Sequence, residues 1–488
     1  MNPATRPPLP EGPCLVAGLG RAGRAAADAL LRAGRPVSAW DASRDGTVRG
    51  AARRLRARGV AVALGGDGLD ALASAGPRAT IVKSPGIALD AALLRAARAR
   101  GSEVIDELEL GWRLCGAPVA AVTGTNGKST TSRLCREVLQ RAAGTALLAG
   151  NTEFGPALSE AVCEGWIVCE TSSFQLEASP SFRPDVAVLT NLTPEHLDRH
   201  RSMAAYGAAK RAMFVAAGET AGMSVVNLDD PFGRALADEV RAAGGRLLGY
   251  GRAAGADVRI LDACWDLASA TLKVRGPGGD LTLQTRLPGE HNAHNLAAAL
   301  AVAAAVGLPG PAAAEALAGA TPPPGRWQPI DEGQPFDVLV DYAHTPDGVR
   351  SVLEAVRRAV DARDGARVHT VLGPVGLRDD AKDSGNGRAA GLLSDRLVVT
   401  SGSTPCPGRL ARIAALRRAA PDPARVEVVL DRAAARARAI GGARPGDAVV
   451  VLGLGDLRRQ MLDAHTLHPH HDAAAARAAL RSGAPAWS

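Results

Sequence analysis

The sequence predicts an α/β fold of three Rossmann-like, doubly wound domains in series, spanning 1–116, 117–322 and 323–488. Three observations carry that reading. The chain has 488 residues, more than one hydrophobic core usually serves, and domain-size scaling divides it into about three. Its hydrophobic fraction of 46% is dominated by Ala, Val and Leu, with aromatics at only 3%, a balance that suits short strands alternating with Ala-rich helices. A glycine-bearing turn between an apolar run and an amphipathic stretch occurs near the start and again after Pro118, and doubly wound units open in this way.

In the first domain, Cys14-Leu-Val-Ala-Gly-Leu-Gly20 reads as a strand and tight turn, Arg21 to Leu31 as a helix and Pro36 to Asp41 as the next strand. Gly18, Gly20 and Gly23 satisfy the Gly-x-Gly-x-x-Gly fingerprint, and Asp41 stands at the strand end from which an acidic residue can reach a ribose. Alone, this unit would suggest a dinucleotide-dependent dehydrogenase. A second strand, Ala79-Thr-Ile-Val-Lys83, runs into a polar turn at Ser84-Pro-Gly-Ile87, and ligands gather at such carboxyl ends.

The middle domain opens on Ala120-Ala-Val-Thr123, then Gly124-Thr-Asn-Gly-Lys-Ser-Thr130, then the helical run to Leu139. Backbone N–H groups of Gly124, Thr125, Asn126 and Gly127 and the helix N-terminus at Lys128, Ser129 and Thr130 can cradle a polyphosphate. Lys128 would neutralise the outer phosphates and the Ser129 hydroxyl would ligate Mg²⁺. The general pattern opens with Gly where this chain has Val122, so the loop is a narrower variant of a P-loop-type ATPase domain. Strands at Trp166–Cys169 and Val186–Thr190 follow. Glu170 ends the first, where a carboxylate can hold a hard cation. The second runs into Asn191-Leu-Thr-Pro-Glu-His-Leu-Asp198, which brings His196 to the same crevice, with Thr193 available as a helix cap. Lys210 lies on a helix whose apolar face carries Met213 and Phe214, ordinarily a surface position for a lone lysine.

Pro322-Pro-Pro-Gly-Arg326 reads as a linker. Beyond it, Phe336–Asp341, Val368–Leu372, Leu397–Thr400 and Ala448–Leu452 alternate with helical stretches to give the third α/β domain.

The apolar runs are too short to span a bilayer and the N-terminus carries no hydrophobic signal segment, so a cytoplasmic protein with no membrane partner is expected. Seven cysteines without a Cys-x-x-Cys pair indicate neither disulfide framework nor zinc ribbon, and are read as small buried hydrophobes. The net charge of +7 comes from dispersed arginines with no aromatic-interleaved basic run, which speaks for an anionic small molecule and against nucleic acid. His465-Thr-Leu-His-Pro-His-His471 reads as an exposed loop leading into a helix from Asp472 to Leu480 rather than as a metal chelate.

In order, the Gly124 to Thr130 loop, Glu170-Thr-Ser-Ser-Phe-Gln-Leu176, Asn191 to His200, Tyr206 to Lys210, Gly289-Glu-His-Asn-Ala-His-Asn295 and Pro324-Gly-Arg326 resemble the Mur ligases. These are ATP-dependent amino-acid ligases of peptidoglycan precursor synthesis, and the resemblance covers nearly the whole chain. The first two thirds look most like the glutamate-adding branch, through Gly18-Leu-Gly20, Ser84-Pro-Gly-Ile87, Ala149-Gly-Asn-Thr-Glu-Phe-Gly-Pro-Ala-Leu158 and Ser172-Ser-Phe-Gln-Leu-Glu177. The resemblance implies ATP and Mg²⁺ as cofactors, UDP-N-acetylmuramoyl-L-alanine and glutamate as substrates, and a monomer. Lys128, Lys210, His196 and Arg326 would be catalytic. Mg²⁺ would be held by Ser129, Glu170, His196 and a carbamylated Lys210. The nucleotide would meet the Gly124 to Thr130 loop, Asn292, Asn295, Arg326 and Asp341, with His291 on the same helix. The UDP precursor would meet Gly18, Gly20, Gly23, Asp41, Ser84, Asn151 and Ser172.

The third domain departs from the glutamate-adding pattern. Val340-Asp-Tyr-Ala-His-Thr-Pro-Asp347 looks like ligases that add the third residue, diaminopimelate or lysine, while Leu372 to Asp380, Ser401-Gly-Ser-Thr-Pro-Cys406 and Gly453-Leu-Gly-Asp-Leu457 depart from that pattern as well. D-glutamate, L-glutamate and a third-residue amino acid stay open as the added group, with Arg378, Lys382 and Thr404 as candidates for the glutamate γ-carboxylate. A catalytically silent ligase-like binding protein is the remaining alternative.

Overall fold

Strand Cys14–Ala17 (β1) is buried along its whole length, as expected of a parallel strand covered on both faces. Alternate side chains part to opposite sides. Cys14 and Val16 pack with Ala26, Ala27 and Leu30 of helix Arg21–Arg32 (α1), while Leu15 and Ala17 pack with Leu93 and Leu94. The computed structural model describes residues 6–376, 379–404, 408–462 and 467–482. The first sheet adds Val37–Asp41 (β2), Ala61–Leu64 (β3), Thr80–Lys83 (β4) and Val104–Asp106 (β5), all parallel in the order β3-β2-β1-β4-β5. Helices Gly46–Arg56 (α2), Leu69–Ser74 (α3) and Ala92–Ala99 (α4) connect them, and Glu107–Leu114 (α5) follows β5. Gly23 lets α1 approach the turn before it: a Cβ there would lie 1.7 Å from the Gly18 carbonyl oxygen.

Asp106 caps α5 by accepting the Leu108 N–H. The next residue, Glu107, is buried and accepts the Ser159 N–H at 2.7 Å. Burial pushes its carboxyl up to about 7, against the Ser159 hydrogen bond. An unfolded glutamate loses its proton near 4.5, so between those values the unfolded chain binds fewer protons than the fold and stability falls as pH rises. Glu107→Gln keeps the acceptor and removes the titration. Its melting temperature should match the wild type at pH 4 and exceed it at pH 8, by an amount worth on the order of 3 kcal/mol; equal differences at the two pH values would refute this.

The second sheet starts at Val119–Thr123 (β6), followed by Lys128–Ala143 (α6), Ala146–Gly150 (β7), Trp166–Glu170 (β8), Ser173–Leu176 (α7), Val186–Leu189 (β9), Leu197–His200 (α8) and Met203–Arg211 (α9). A short hairpin, Val215–Ala216 (β10) and Glu219–Thr220 (β11), precedes Ser224–Asn227 (β12), Pro231–Ala242 (α10) and Leu247–Gly251 (β13). The parallel strands order as β13-β12-β9-β6-β8-β7. The chain leaves β6 for β7 on one side and returns to β9 on the other, so the loop after β6 opens at a topological switch point, where α/β sheets bind ligands.

Contacts gather 1–192, 199–258 and 298–313 into one compact unit, so the first two sheets belong together. Three fastenings inside it explain why. Lys83, wholly buried, pairs with Asp106 at 2.8 Å and donates to the Phe174 carbonyl at 3.3 Å. Arg199 pairs with Glu177 at 2.6 Å and donates to the Gly86 and Ile87 carbonyls. Glu107 holds Ser159 as above.

The second unit comprises Thr193–Asp198, Arg259–Ala297 and Ala314–Ser488. It contains an antiparallel ribbon absent from the sequence reading, Val258–Trp265 (β14), Ala270–Gly276 (β15) and Gly279–Thr285 (β16), with a bulge between Ile260 and Asp262. Helices Glu290–Ala305 (α11) and Gly310–Ala318 (α12) follow. The third sheet is formed by Gln328–Pro329 (β17), Asp337–Asp341 (β18), Val368–Leu372 (β19), Arg396–Val399 (β20), Glu427–Val428 (β21) and Ala448–Leu452 (β22), ordered β17-β18-β22-β19-β20-β21 with only β17 antiparallel. Helices Pro346–Val360 (α13), Asp380–Leu393 (α14) and Arg409–Ala419 (α15) connect strands, as does Arg432–Gly441 (α16). A last hairpin, Arg459–Met461 (β23) and Leu467–Pro469 (β24), leads into Asp472–Ser482 (α17). The sheet carries apolar clusters on both faces.

The α/β class and its parallel sheets agree with the sequence. Two smaller expectations need correction. Cys14, Cys115, Cys135 and Cys169 are buried, but Cys264 is exposed on the ribbon; Cys406 lies outside the described residues. The histidine-rich stretch is not simply exposed, because His470 packs against Asp472 at 3.2 Å, while His465 lies outside the described residues. Among those residues, no helix is long and apolar enough to cross a membrane.

Candidate active site

The loop after β6 is shaped by two glycines and by contacts with the end of β9. Gly124 adopts φ +147°, and a Cβ there would lie 1.8 Å from Thr190 Oγ1, so no other residue fits between the two strand ends. Gly127 is left-handed at φ 83° and opens α6. The end of β9 braces the loop: Thr125 N–H donates to the Asn191 carbonyl, Asn126 N–H to Asn191 Oδ1 and Thr190 Oγ1 to the Asn126 carbonyl. Thr125 Oγ1 meets the Tyr206 hydroxyl at 3.1 Å. Lys128 folds over the loop and donates to the Gly124 and Thr125 carbonyls at 3.1 and 2.7 Å. Ser129 is half-buried and Thr130 buried.

Lys210 is the largest departure from local expectation. Its side chain is buried, 1% exposed, and its Nζ donates to the Gly124 carbonyl at 2.8 Å and to Thr123 Oγ1 at 3.3 Å. The Tyr206 ring lies 4.7 Å from it. Burial pushes its ammonium far below the ordinary lysine range, the Lys128 charge pushes the same way and Glu170 opposes both. Lys128, Glu170 and Lys210 therefore converge electrostatically on one loop, Glu170 being buried at the end of β8.

In the first sheet, Ser84 Oγ donates to the Gly18 carbonyl and Gly18 N–H to that of Trp40. Asp41 does not reach outward: its two oxygens accept the Leu19 N–H at 2.6 Å and the Ser43 N–H at 2.8 Å, so it rigidifies the glycine turn. Gly20 precedes α1 as its N-cap. Ser172 is similarly occupied, forming a capping box with Gln175. Asn151 is exposed, with its N–H on the Glu170 carbonyl at 2.7 Å.

The second unit holds the remaining candidates. His196 sits at φ 57°, a left-handed conformation that costs a non-glycine residue about 1–3 kcal/mol and that clusters at functional sites. Arg326 stacks on Tyr342, 3.9 Å from the ring. Asp341 accepts the Trp327 and Ala343 N–H groups at 2.6 and 2.7 Å; burial raises its carboxyl, and the Arg326 charge opposes the rise. Asn292 donates to the Pro288 carbonyl and Asn295 to Asn292 Oδ1. Burial pushes His291 down to about 4. His344 donates from Nδ1 to the Tyr342 carbonyl at 2.8 Å, and burial together with the Lys382 charge holds it well below the usual imidazole range.

Of the candidates for an amino-acid carboxylate, the two described ones are otherwise engaged. Thr404, fully buried, accepts from Arg412, which also forks onto Asp383 at 2.6 and 2.9 Å; Arg378 lies outside the described residues. Lys382 pairs with Glu195 at 2.7 Å, both side chains under a tenth exposed. Lys382→Met leaves that carboxylate buried without its ammonium and should cost this unit about 2 kcal/mol, whereas Lys382→Arg should cost far less. Denaturant midpoints of the two variants check this, and equal midpoints for Met and wild type would sink it. Tyr206, Glu195 and His344 lie inside runs the sequence singles out but carry no assigned role there, because the contacts of Tyr206 with Thr125 and of Glu195 with Lys382, and the Lys382 charge acting on His344, depend on tertiary packing that local sequence does not state. Among the described residues, no group of three or more His, Cys, Asp or Glu side chains is set to hold a metal by itself.

Comparison with known proteins agrees with this geometry. Residues 122–303 match the Mur ligase middle domain, and residues 325–455 match the family model described as Mur ligase, glutamate ligase domain. The UDP-N-acetylmuramoyl-L-alanyl-D-glutamate–2,6-diaminopimelate ligase of Streptomyces coelicolor is 34% identical over 395 residues, covering 74% of this chain and 75% of the relative. The UDP-N-acetylmuramoylalanine–D-glutamate ligase of Pelotomaculum thermopropionicum is 36% identical over 304 residues, 60% of this chain and 63% of that one. Among solved structures, a UDP-N-acetylmuramoyl-L-alanyl-D-glutamate–2,6-diaminopimelate ligase superposes with a TM-score of 0.53 at 25% identity, over 82% of this chain and 92% of the other. The UDP-N-acetylmuramate-alanine ligase of Thermotoga maritima shares the fold, with a TM-score of 0.59 at 20% identity over 91% of this chain and 96% of the other. The matched domains and the extent of these alignments lead to one conclusion: the chain belongs to the Mur ligase family, the ATP-dependent ligases that form an amide bond between an acid and an amino acid in peptidoglycan precursor synthesis.

Proposed function

We propose that this ligase joins glutamate to UDP-N-acetylmuramoyl-L-alanine through an acyl phosphate. The convergence of Lys128, Glu170 and Lys210 on the Gly124–Thr130 loop is the observation that carries the reading of a phosphate-transferring centre. The glycine turn at Gly18, Gly20 and Gly23, with Ser84 on its carbonyl, supports the nucleotide end of the precursor. The precursor carboxylate attacks the γ-phosphate and ADP leaves. The amine of the amino acid then adds to the acyl carbon, and phosphate leaves as the amide forms. Negative charge grows on oxygen in both steps, and Lys128 and Arg326 are the cations assigned to it.

Ser129, Glu170, His196 and a carbamylated Lys210 would hold Mg²⁺. The donor chemistry fits: a hydroxyl and a carboxylate on elements flanking the loop, and a buried amine beside Lys128 that becomes an anionic oxygen donor when it adds carbon dioxide and loses a proton. Bound Mg²⁺ would supply charge stabilisation at the phosphate oxygens.

Addition of the third residue is the second reading. It is favoured by the run Val340–Asp347 and by diaminopimelate-adding relatives that align over about three quarters of the chain. Phosphate release is to be measured with UDP-N-acetylmuramoyl-L-alanine and, separately, D-glutamate, L-glutamate, diaminopimelate and lysine, with product masses. Turnover with either glutamate enantiomer supports the proposal and fixes the stereochemistry. Turnover only with a dibasic amino acid and a dipeptide precursor transfers the assignment to the third residue.

A further inference from the structure

Arg21 opens α1 directly after the glycine turn, at the helix N-terminus against which a dinucleotide fold seats a diphosphate. Its guanidinium points elsewhere. Nη2 donates to the Gly150 carbonyl at 2.7 Å, and Nη1 donates to the Gly155 carbonyl at 3.1 Å and to that of Thr152. Three carbonyls of one loop thus converge on a single planar fork, a geometry that arginine matches and the point charge of lysine does not.

The loop is tightly built at its other contacts. Gly150 is left-handed at φ 87°, and its N–H donates to the Pro156 carbonyl. A Cβ on Gly155 would lie 2.0 Å from the Leu148 carbonyl oxygen. Asn151 N–H holds the carbonyl of Glu170. Three helical turns further along α1, Arg32 donates to the Ser159 carbonyl, so the same helix grips this segment again beyond the loop.

We propose that Arg21 is a positioning residue that holds the 150–155 loop, and through it Asn151 and the end of β8, against the glycine turn, so that the bound UDP precursor meets a preformed loop. The proposal rests on the reading above for the identity of the ligand, but the clasp itself does not. Its energetic origin is the saturation of three backbone carbonyls by a guanidinium already ordered at a helix start, which spares the ligand the entropy of ordering that loop.

The test uses the full-length protein with Arg21→Ala and Arg21→Lys. Hydrogen exchange without any substrate should quicken at the Gly150 and Asn151 amides by about tenfold or more in Arg21→Ala, by less in Arg21→Lys, and stay unchanged in β1. KM for UDP-N-acetylmuramoyl-L-alanine should rise about tenfold, with KM for ATP and the Kd for free UDP unchanged. Unchanged exchange in the loop overturns the proposal. So does an equal loss of affinity for free UDP, which would make Arg21 a diphosphate ligand. If the alanine variant does not fold, the lysine variant carries the same comparison. A wild-type protein inactive with this precursor would refute the substrate reading, while the exchange result would still decide the clasp.

Discussion

Replacing Lys210 with alanine is expected to lower ATP-dependent phosphate release by on the order of 10³-fold, the scale of loss when one preorganised group that stabilises transition-state charge is removed. The expectation comes from where the side chain sits. An ordinary helix lysine would be solvated, yet this one is enclosed beside the Gly124 carbonyl, with Lys128 and Glu170 as its electrostatic neighbours. A second free ammonium beside Lys128 would be repelled, and burial already disfavours it. Conversion to a carbamate would replace an unfavourable cation by an anion facing Lys128. Formate or acetate supplied to Lys210→Ala should therefore restore a measurable part of the rate, since a small carboxylate can place an oxygen in the vacated space. Activity within about tenfold of wild type would remove Lys210 from the site. A full loss without carboxylate rescue would mean that the lysine acts as an amine or ammonium. An unchanged melting temperature is the control that the loop still folds.

The legible part of this site was the part encoded locally. Gly124 and Gly127 are required by the backbone itself, one by contact with Thr190 and the other by a left-handed φ, so a short string announces the loop. The βαβ turn at Gly18 to Gly23 was legible for the same reason. The burial of Lys210 was not, because it depends on which face of α9 meets the loop, and no spacing in Tyr206 to Lys210 states that. Asp41, Ser172, Lys382 and Thr404 share a different failure. Each is a residue type that binds ligands and lies at a strand or helix end, but the positions that suit ligand binding also suit capping of bare N–H groups and pairing of buried charges. In Asp41 and Ser172 the cap takes the side chain; in Lys382 it is taken by Glu195, distant in sequence, and in Thr404 by the buried Arg412 of the following helix. The ribbon of β14 to β16 does carry apolar alternation, with Leu272 and Val274 buried between exposed Lys273 and Arg275 and Leu283 between exposed Thr282 and Gln284, so the period-2 signal for it is present in the sequence.

The same competition predicts a large stability effect at the start of α17. Asp472 begins α17 wholly buried, paired with Arg432 at 2.7 Å and with Arg436, and His470 lies 3.2 Å away. Burial alone would raise its carboxyl; the Arg432 charge, the nearby His470 and the Arg432 hydrogen bonds outweigh it and hold the group far below the usual carboxylate range. Arg432 also donates to the Leu452 carbonyl at the end of β22, so the cluster fastens the last helix to the sheet. Arg432 Nη1 and Arg436 Nε are buried without a hydrogen-bond partner even with Asp472 in place. Asp472→Ala would leave two enclosed guanidinium groups without the buried carboxylate they share, and breaking a buried pair from one side costs about 3–5 kcal/mol. Because the folded carboxyl titrates below the unfolded one, its contribution is present above about pH 4 and declines as acid protonates the unfolded chain. The gap between wild type and Asp472→Ala should therefore be full at pH 7 and narrower at pH 3. Adding Arg436→Leu to Asp472→Ala removes one stranded charge and should recover part of the loss, a coupling that denaturant melts of the two single variants and the double variant would measure. Strictly additive effects would mean that the arginines are solvated independently of Asp472, and the cluster would then not be what holds α17 in place.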